Sequence, residues 1–270
     1  MLTHWARALG SLASNSFRDV SAPRRRGFEF TRRWLSFGLE YDRRPRARQA
    51  PFLDIYPNAD GVGVALGDVA YRRSNANAFE IYCLSCIARL KDARRIFEIG
   101  TFDGATTLQL ARTCPQSQVF TLDLPPDFPA DFRASPVKDE VENVQSGGVG
   151  RRFAGAPEAA RIVQLYGDSR RFDYTPWQGT IDLVFVDACH EYEFALADSH
   201  TALKLLAPHG VVVWHDYEPG WPGVVRAVDS LLRDYPIVCI DKTALAVMDS
   251  DWSPPGGAGA LRRRFRFGNE

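Results

Sequence analysis

Apolar positions in the middle and C-terminal part of the chain switch between two periods. Over residues 76–93, Ile81, Leu84, Ile87 and Leu90 recur at three-residue steps, which predicts a helix. A short strand over 96–99 follows, and after Gly104 the period turns helical again, with Leu108 and Ala111 following Ala105 and Thr107. Residues 118–122 predict a strand ending at Asp123, and 161–166 another. The unbroken run IDLVFV at 181–186 is the pattern of a strand buried on both faces. Leu196, Leu203 and Leu206 mark a helix stopped by Pro208 and Gly210, and a buried strand over 211–214 follows. Val225, Val228, Leu231 and Leu232 place a helix within 224–233. Two strands, 237–240 and 244–248, join through Asp241-Lys242 as a tight hairpin. Strands alternating with helices predict an α/β fold with a largely parallel sheet.

Three segments lie outside this rhythm. Residues 1–75 carry a helical repeat at Trp5, Leu9 and Leu12, then arginine clusters at 24–26, 32–33 and 43–48. They read as a basic arm, solvated or in contact with another subunit, so a homo-oligomer is expected; an amphipathic basic segment can also touch a membrane surface. Residues 125–160, rich in proline with glycines at 147, 148 and 150, read as a lid-like loop. Arg151, Arg152 and Phe153 near its end are placed to touch substrate. Residues 251–270 read as a basic tail. The domain boundaries expected are therefore 1–75, 76–250 and 251–270.

Composition narrows the function. The chain has 270 residues, 45% of them hydrophobic, enough for one large α/β domain. A formal net charge of zero speaks against nucleic acid as partner. No apolar run approaches the ~20 residues of a membrane span, and the N-terminus lacks the apolar stretch of a secretion signal. Five scattered cysteines suit free thiols in a reducing, cytoplasmic setting. Cys83 and Cys86 form a CxxC without the second pair a zinc site needs, so they read as small apolar residues on a helix.

The chemistry concentrates where strands end. In RIFEIGTFDGATTLQLA, residues 95–111, a strand runs into Gly100 and Gly104 and then into a helix. The turn needs glycine, and the new helix offers free N–H groups to an anion. The spacing is not that of a dinucleotide fingerprint. It resembles motif I, ExGxxxG, of the class I S-adenosylmethionine (SAM)-dependent methyltransferases. The resemblance implies a Rossmann-like fold, seven strands with an antiparallel last one, and helices on both faces. It also implies that Gly100, Thr101 and Gly104 lie against SAM, that Thr106 bonds its carboxylate and that Glu98 holds its amino end. Asp123, about twenty residues on, stands where a nucleotide-binding fold puts the acid that accepts both ribose hydroxyls. Asp168 and Ser169, at the next strand end, are the expected contacts of the adenine amino group.

Two further strands deliver Asp187 with His190, and His215 with Asp216, to the same edge, where open parallel sheets bind ligands. The phrases FVDACHEYE, LLAPHGVVVWHDY and WPGV resemble metal-dependent O-methyltransferases of sugars and other natural products. That resemblance, over about residues 97–248, implies methyl transfer to a hydroxyl of a small-molecule acceptor such as a sugar or secondary metabolite. It makes His190 the base, with His215 a second candidate, and places Asp187 beside SAM. It makes Asp187 and Asp216, with His215, ligands of a divalent cation, Mg²⁺ or Mn²⁺. His215 stands where those enzymes carry an acid; imidazole suits transition metals rather than magnesium. Three alternatives remain open: metal-independent N- or O-methylation, a hydroxylase-like reaction on the same scaffold, and a non-catalytic SAM-binding partner protein.

Overall fold

The computed structural model describes residues 45–67, 75–128 and 148–252. Residues 1–44 and 68–74 of the arm, residues 129–147 of the loop, and the tail from 253 lie outside the described residues.

The elements run β1 (Arg48–Ala50), α1 (Phe52–Ile55), α2 (Ala78–Leu90), β2 (Arg95–Ile99), α3 (Ala105–Thr113), β3 (Gln118–Asp123) and β4 (Ile162–Tyr166). They continue β5 (Ile181–Val186), α4 (Tyr192–Leu205), β6 (Leu206–Trp214), α5 (Pro222–Leu231), β7 (Val238–Ile240) and β8 (Ala246–Asp249). Among the described residues the sheet has eight strands, in the order β1-β7-β8-β6-β5-β2-β3-β4, one more than expected. The extra strand is β1, which pairs in parallel with β7, Arg48 opposite Val238 and Ala50 opposite Ile240. Its sequence, RQA, carries no strand signature; the unpaired edge of β7 imposes one. So part of the stretch expected as an arm completes the sheet. β8 is antiparallel to both β6 and β7, as expected.

Alternation along the strands divides the core. Phe97, Phe120, Val184, Val212 and Trp214 belong to one buried cluster, in which Val184, Val212 and Trp214 join residues of α4 and α5 while Phe97 and Phe120 pack on Trp177. Ile96, Val119, Leu183, Phe185 and Val213 face α2 and α3. Both faces are covered, so the central strands read as continuous apolar runs. Cys83 and Cys86 are buried free thiols of this second layer, and burial pushes Cys83 up to about 12, far from a reactive thiolate. β6 begins at Leu206 rather than 211, with a register shift between Ile181 and Leu183 where it joins β5. The chain thus enters the strand directly from α4.

The strand order reverses between β2 and β5, which pair in parallel from Ile96–Leu183 to Ile99–Val186. At such a switch point the loops beyond neighbouring strands diverge and leave a crevice. The glycine loop follows β2 and Asp187 follows β5, so both face that crevice.

Candidate active site at the switch point

The glycine loop is built on its neighbours. Gly100 has φ +103°, and a Cβ there would stand 1.9 Å from the Asp187 carbonyl oxygen, so only glycine lets the two loops touch. Gly104, φ +82°, lies under Phe153; a Cβ would meet that ring at 2.6 Å. Arg152 anchors the same segment: its Nε donates to Asp103 Oδ2 at 2.5 Å and its N–H to the Asp103 carbonyl at 3.0 Å. Asp103 Oδ1 in turn accepts the Ala105 N–H at 3.1 Å, so a carboxylate of the chain already sits at the start of α3. The end of the 125–160 loop therefore clasps the glycine loop.

Glu98 lies beneath this loop, 1% exposed. Thr107 and Thr121 donate hydroxyl hydrogens to its Oε2, the latter at 2.6 Å. Burial pushes its carboxyl up to about 8; the two hydroxyls pull it down, and the charges of Asp187 and Asp123 push it further up. Thr107 is the α3 residue that reaches it. Asp123 holds the loop as well: its Oδ2 accepts the N–H groups of Thr101 (2.9 Å) and Phe102 (2.7 Å), and its Oδ1 that of Leu124 (2.7 Å). Three of a carboxylate's roughly four acceptor positions are thus taken by backbone. Asp168 turns inward on its own loop, accepting the Arg170 N–H at 3.0 Å. Ser169 lies beside buried Asp198, whose carboxyl burial lifts to about 7 while the Ser169 hydroxyl opposes the rise.

The second half of the site brings Asp187, His190, His215 and Asp216 together. His190 Nε2 lies 2.6 Å from Asp216 Oδ2. The imidazole also stacks on Trp221, centroids 3.9 Å apart and planes 23° apart. Gly223 makes this possible: a Cβ there would stand 2.2 Å from the His190 carbonyl oxygen. Asp216 adopts φ +55°, a left-handed conformation that an aspartate tolerates better than most residues and that turns its carboxylate toward His190. Burial would raise the Asp216 carboxyl, but bonds from His190 and His215 hold it well below the usual range.

His215 is engaged at both ends. Nδ1 lies 3.2 Å from Asp187 Oδ1 and 3.4 Å from Asp216 Oδ2, and Nε2 lies 3.3 Å from Glu80 Oε2. Burial opposes a charge on this ring, yet Asp187, Asp216 and Glu80 outweigh it and lift its pKa well above the usual histidine value. With a hydrogen on each nitrogen, such a ring would offer no lone pair to a metal or a proton. Among the described residues, the group whose ligand atoms lie within 4.8 Å of one another is Asp187, His190 and Asp216. Two carboxylates and an imidazole fit a divalent cation, better a transition metal than magnesium. The pocket behind these groups, reaching Ala195, Ser199 and Val228, has a volume of only ≈ 10 Å³, too small for an acceptor.

Several working residues escaped the sequence reading. Glu80 carried the signal N-x-x-E of a helix start, and Trp221 and Gly223 stood in the WPGV phrase without a role. Asp103 lay unread between the two glycines.

Residues 97–217 match the family described as "Methyltransferase domain". No curated protein matches the chain. Similar solved structures include the cofactor-bound Rv0187 from MTB, 23% identical over 76% of this chain and 91% of that one, TM-score 0.45. Another is the O-methyltransferase TomG from Streptomyces achromogenes, involved in tomaymycin synthesis and in complex with SAM, 22% identical over 76% and 91%, TM-score 0.43. A third is SAH-bound PaMTH1 from Podospora anserina, 15% identical over 74% and 94%, TM-score 0.49.

Proposed function

We propose that residues 97–217, which match a methyltransferase domain, form a class I SAM-dependent methyltransferase domain, and that the chain methylates a hydroxyl of a small molecule with His190 as base. The observation that carries this reading is the His190 Nε2–Asp216 Oδ2 contact of 2.6 Å on a ring stacked against Trp221. SAM supplies a methyl group on a sulfonium, which an acceptor oxygen displaces in line. Asp216 faces Nε2, so the ring is oriented and its positive charge, once formed, is stabilised. Trp221 fixes the ring plane, which limits the motion that would misalign acceptor and methyl. His190 would receive the hydroxyl proton as the acceptor oxygen takes the methyl group and S-adenosylhomocysteine leaves. The sugar or secondary-metabolite class of the acceptor is the expectation carried by the sequence resemblance.

The clustering of Asp187, His190 and Asp216 favours a second reading. In it these three residues hold a divalent cation, whose contribution would be to acidify the acceptor hydroxyl. His190 is then a ligand and not the base.

The test is methyl transfer from SAM carrying a labelled methyl group to a panel of sugars, phenols and other hydroxyl compounds, after chelation and again with manganese. Transfer in chelator that drops ~10²–10⁴-fold in His190→Gln, with SAM binding retained, is expected for a histidine base. Transfer only with manganese selects the second reading. Absence of SAM binding by calorimetry would overturn both.

A further inference from the structure

Glu80 stands in the first turn of α2, 135 residues from His215 in sequence, yet its side chain reaches the site. Oε2 accepts the Asn77 N–H at 2.8 Å, closing a capping box in which Asn77 Oδ1 accepts the N–H groups of Phe79 and Glu80. Oε1 accepts the Ala244 N–H at 2.8 Å, from the turn between β7 and β8. Oε2 also faces His215 Nε2. A cap needs only the first of these bonds, and a cap can stay in water. Glu80 is 5% exposed, and a buried carboxylate is costly unless its oxygens are engaged. The bonds from Asn77 and Ala244 fix the carboxylate plane from two separate elements, and the ring of His215 lies on its third side.

Across that ring, Nδ1 faces Asp187 and Asp216. Carboxylates only accept, so each ring nitrogen is directed at acceptors, and the ring cannot turn without losing a bond at both ends. Asp216 then holds His190. The contacts form one chain from the start of α2 to the candidate base.

We propose that Glu80 is a positioning residue of this active site: through His215 it fixes the carboxylates of Asp187 and Asp216, and through Asp216 the ring of His190. The proposal builds on the reading of His190 and Asp216 as the working pair, and extends the site to a helix outside the strand ends.

The test uses the full chain labelled with ¹⁵N at histidine, without metal, SAM or acceptor, with His190 and His215 assigned by the spectra of His190→Asn and His215→Asn. Glu80→Met removes the acceptor at similar length. Glu80→Gln keeps an oxygen that can take the same hydrogen but not the charge. In Glu80→Met the Nε2–H signal of His215 is expected to lose its protection from solvent exchange, and the ring signals of His190 to move. Glu80→Gln is expected to shift both in the same direction and less, and it decides the matter should Glu80→Met not fold. Asn77→Ala removes the cap but leaves the Glu80–His215 contact, and is expected to leave both rings unchanged. Unmoved His190 and His215 signals in the Glu80 variants, or equal changes in Asn77→Ala, overturn the proposal. Because the spectra need no substrate, failure of methyl transfer is a separate result. With an acceptor from the panel above, Glu80→Gln lowers kcat about tenfold or more at an unchanged KM for SAM, a split that loss of a helix cap does not produce.

Discussion

Glu98 makes the fold itself sensitive to pH, and Glu98→Gln isolates the effect. In the folded chain its carboxyl titrates at about 8, against 4.5 for an ordinary glutamate, chiefly because burial penalises the charged form. Between these two values the folded state keeps a proton that the unfolded state has lost. The folded state therefore binds more protons, and stability falls as pH rises through this window. At 1.36 kcal/mol per tenfold change, the full interval is on the order of 5 kcal/mol, reached above pH 8. Glu98 is 1% exposed, so solvent screening does not reduce it. Against a typical domain stability of about 5–15 kcal/mol this is a large term. A glutamine keeps an oxygen for the hydroxyls of Thr107 and Thr121 and has nothing to ionise. The assay is urea unfolding of both proteins from pH 5 to pH 9, compared at equal slope. Relative to the wild type, Glu98→Gln should gain about 3–5 kcal/mol between the two ends, with most of the change between pH 5 and 8. Other titrating groups are common to both proteins and largely cancel. Parallel stability curves would refute the claim that Glu98 carries a proton into the neutral range.

Other consequences are open to equally direct measurement. If the SAM ammonium group sits against Glu98, binding favours the ionised carboxylate, so SAM titrated at pH 7 should release protons. The calorimetric heat should then depend on the ionisation enthalpy of the buffer, and no such dependence is expected in Glu98→Gln. Gly223→Ala forces a Cβ to within 2.2 Å of the His190 carbonyl, so α5 or the 188–191 loop must shift. Overpacking of this kind costs about 1–3 kcal/mol in unfolding experiments, and methyl transfer should fall more than SAM binding. Lys91 is nearly buried between Asp249 (2.8 Å) and Asp251 (2.6 Å), and Lys91→Met leaves Asp249 charged and buried. A loss of about 3–5 kcal/mol is expected by urea titration.

The strands that build the switch point were legible because both their faces are buried, which writes the element into hydrophobicity alone. β1 was not, since Arg48–Ala50 owe their conformation to the free edge of β7 and not to their own side chains. The candidate site was legible as a set: Asp187, His190, His215 and Asp216 sit at the ends of adjacent strands, where local pattern puts them. Their pairing was not. That His190 as well as His215 meets Asp216 goes with the φ of +55° at Asp216 and the absence of a Cβ at Gly223, neither of which has a hydrophobic signature. The sequence marks Gly100 and Gly104 as candidate glycines of a ligand loop, but the atoms that exclude a side chain there belong to Asp187 and Phe153. Glu80 could be read only as a helix cap, because its second role depends on a contact across 135 residues.

In the reading in which Asp187, His190 and Asp216 hold a cation, the histidine at position 215 bears on which cation would suit. Glu80, Asp187 and Asp216 place three carboxylates around one ring, and that ring, when protonated on both nitrogens, would supply the opposing charge internally. Magnesium prefers oxygen donors in an octahedral arrangement and gains little from His190. His215→Asp removes the internal cation and adds a fourth acid. Without added metal this variant should unfold at markedly lower urea than the wild type, because like charges then meet in a buried place. Magnesium should restore it: at a concentration about 100 times the dissociation constant, binding to the folded state alone contributes about 2.7 kcal/mol. The wild type should show no comparable response to magnesium at the same concentration. Equal stabilisation of both proteins by magnesium, or none of His215→Asp, would mean that His215 does not serve as the site's built-in positive charge.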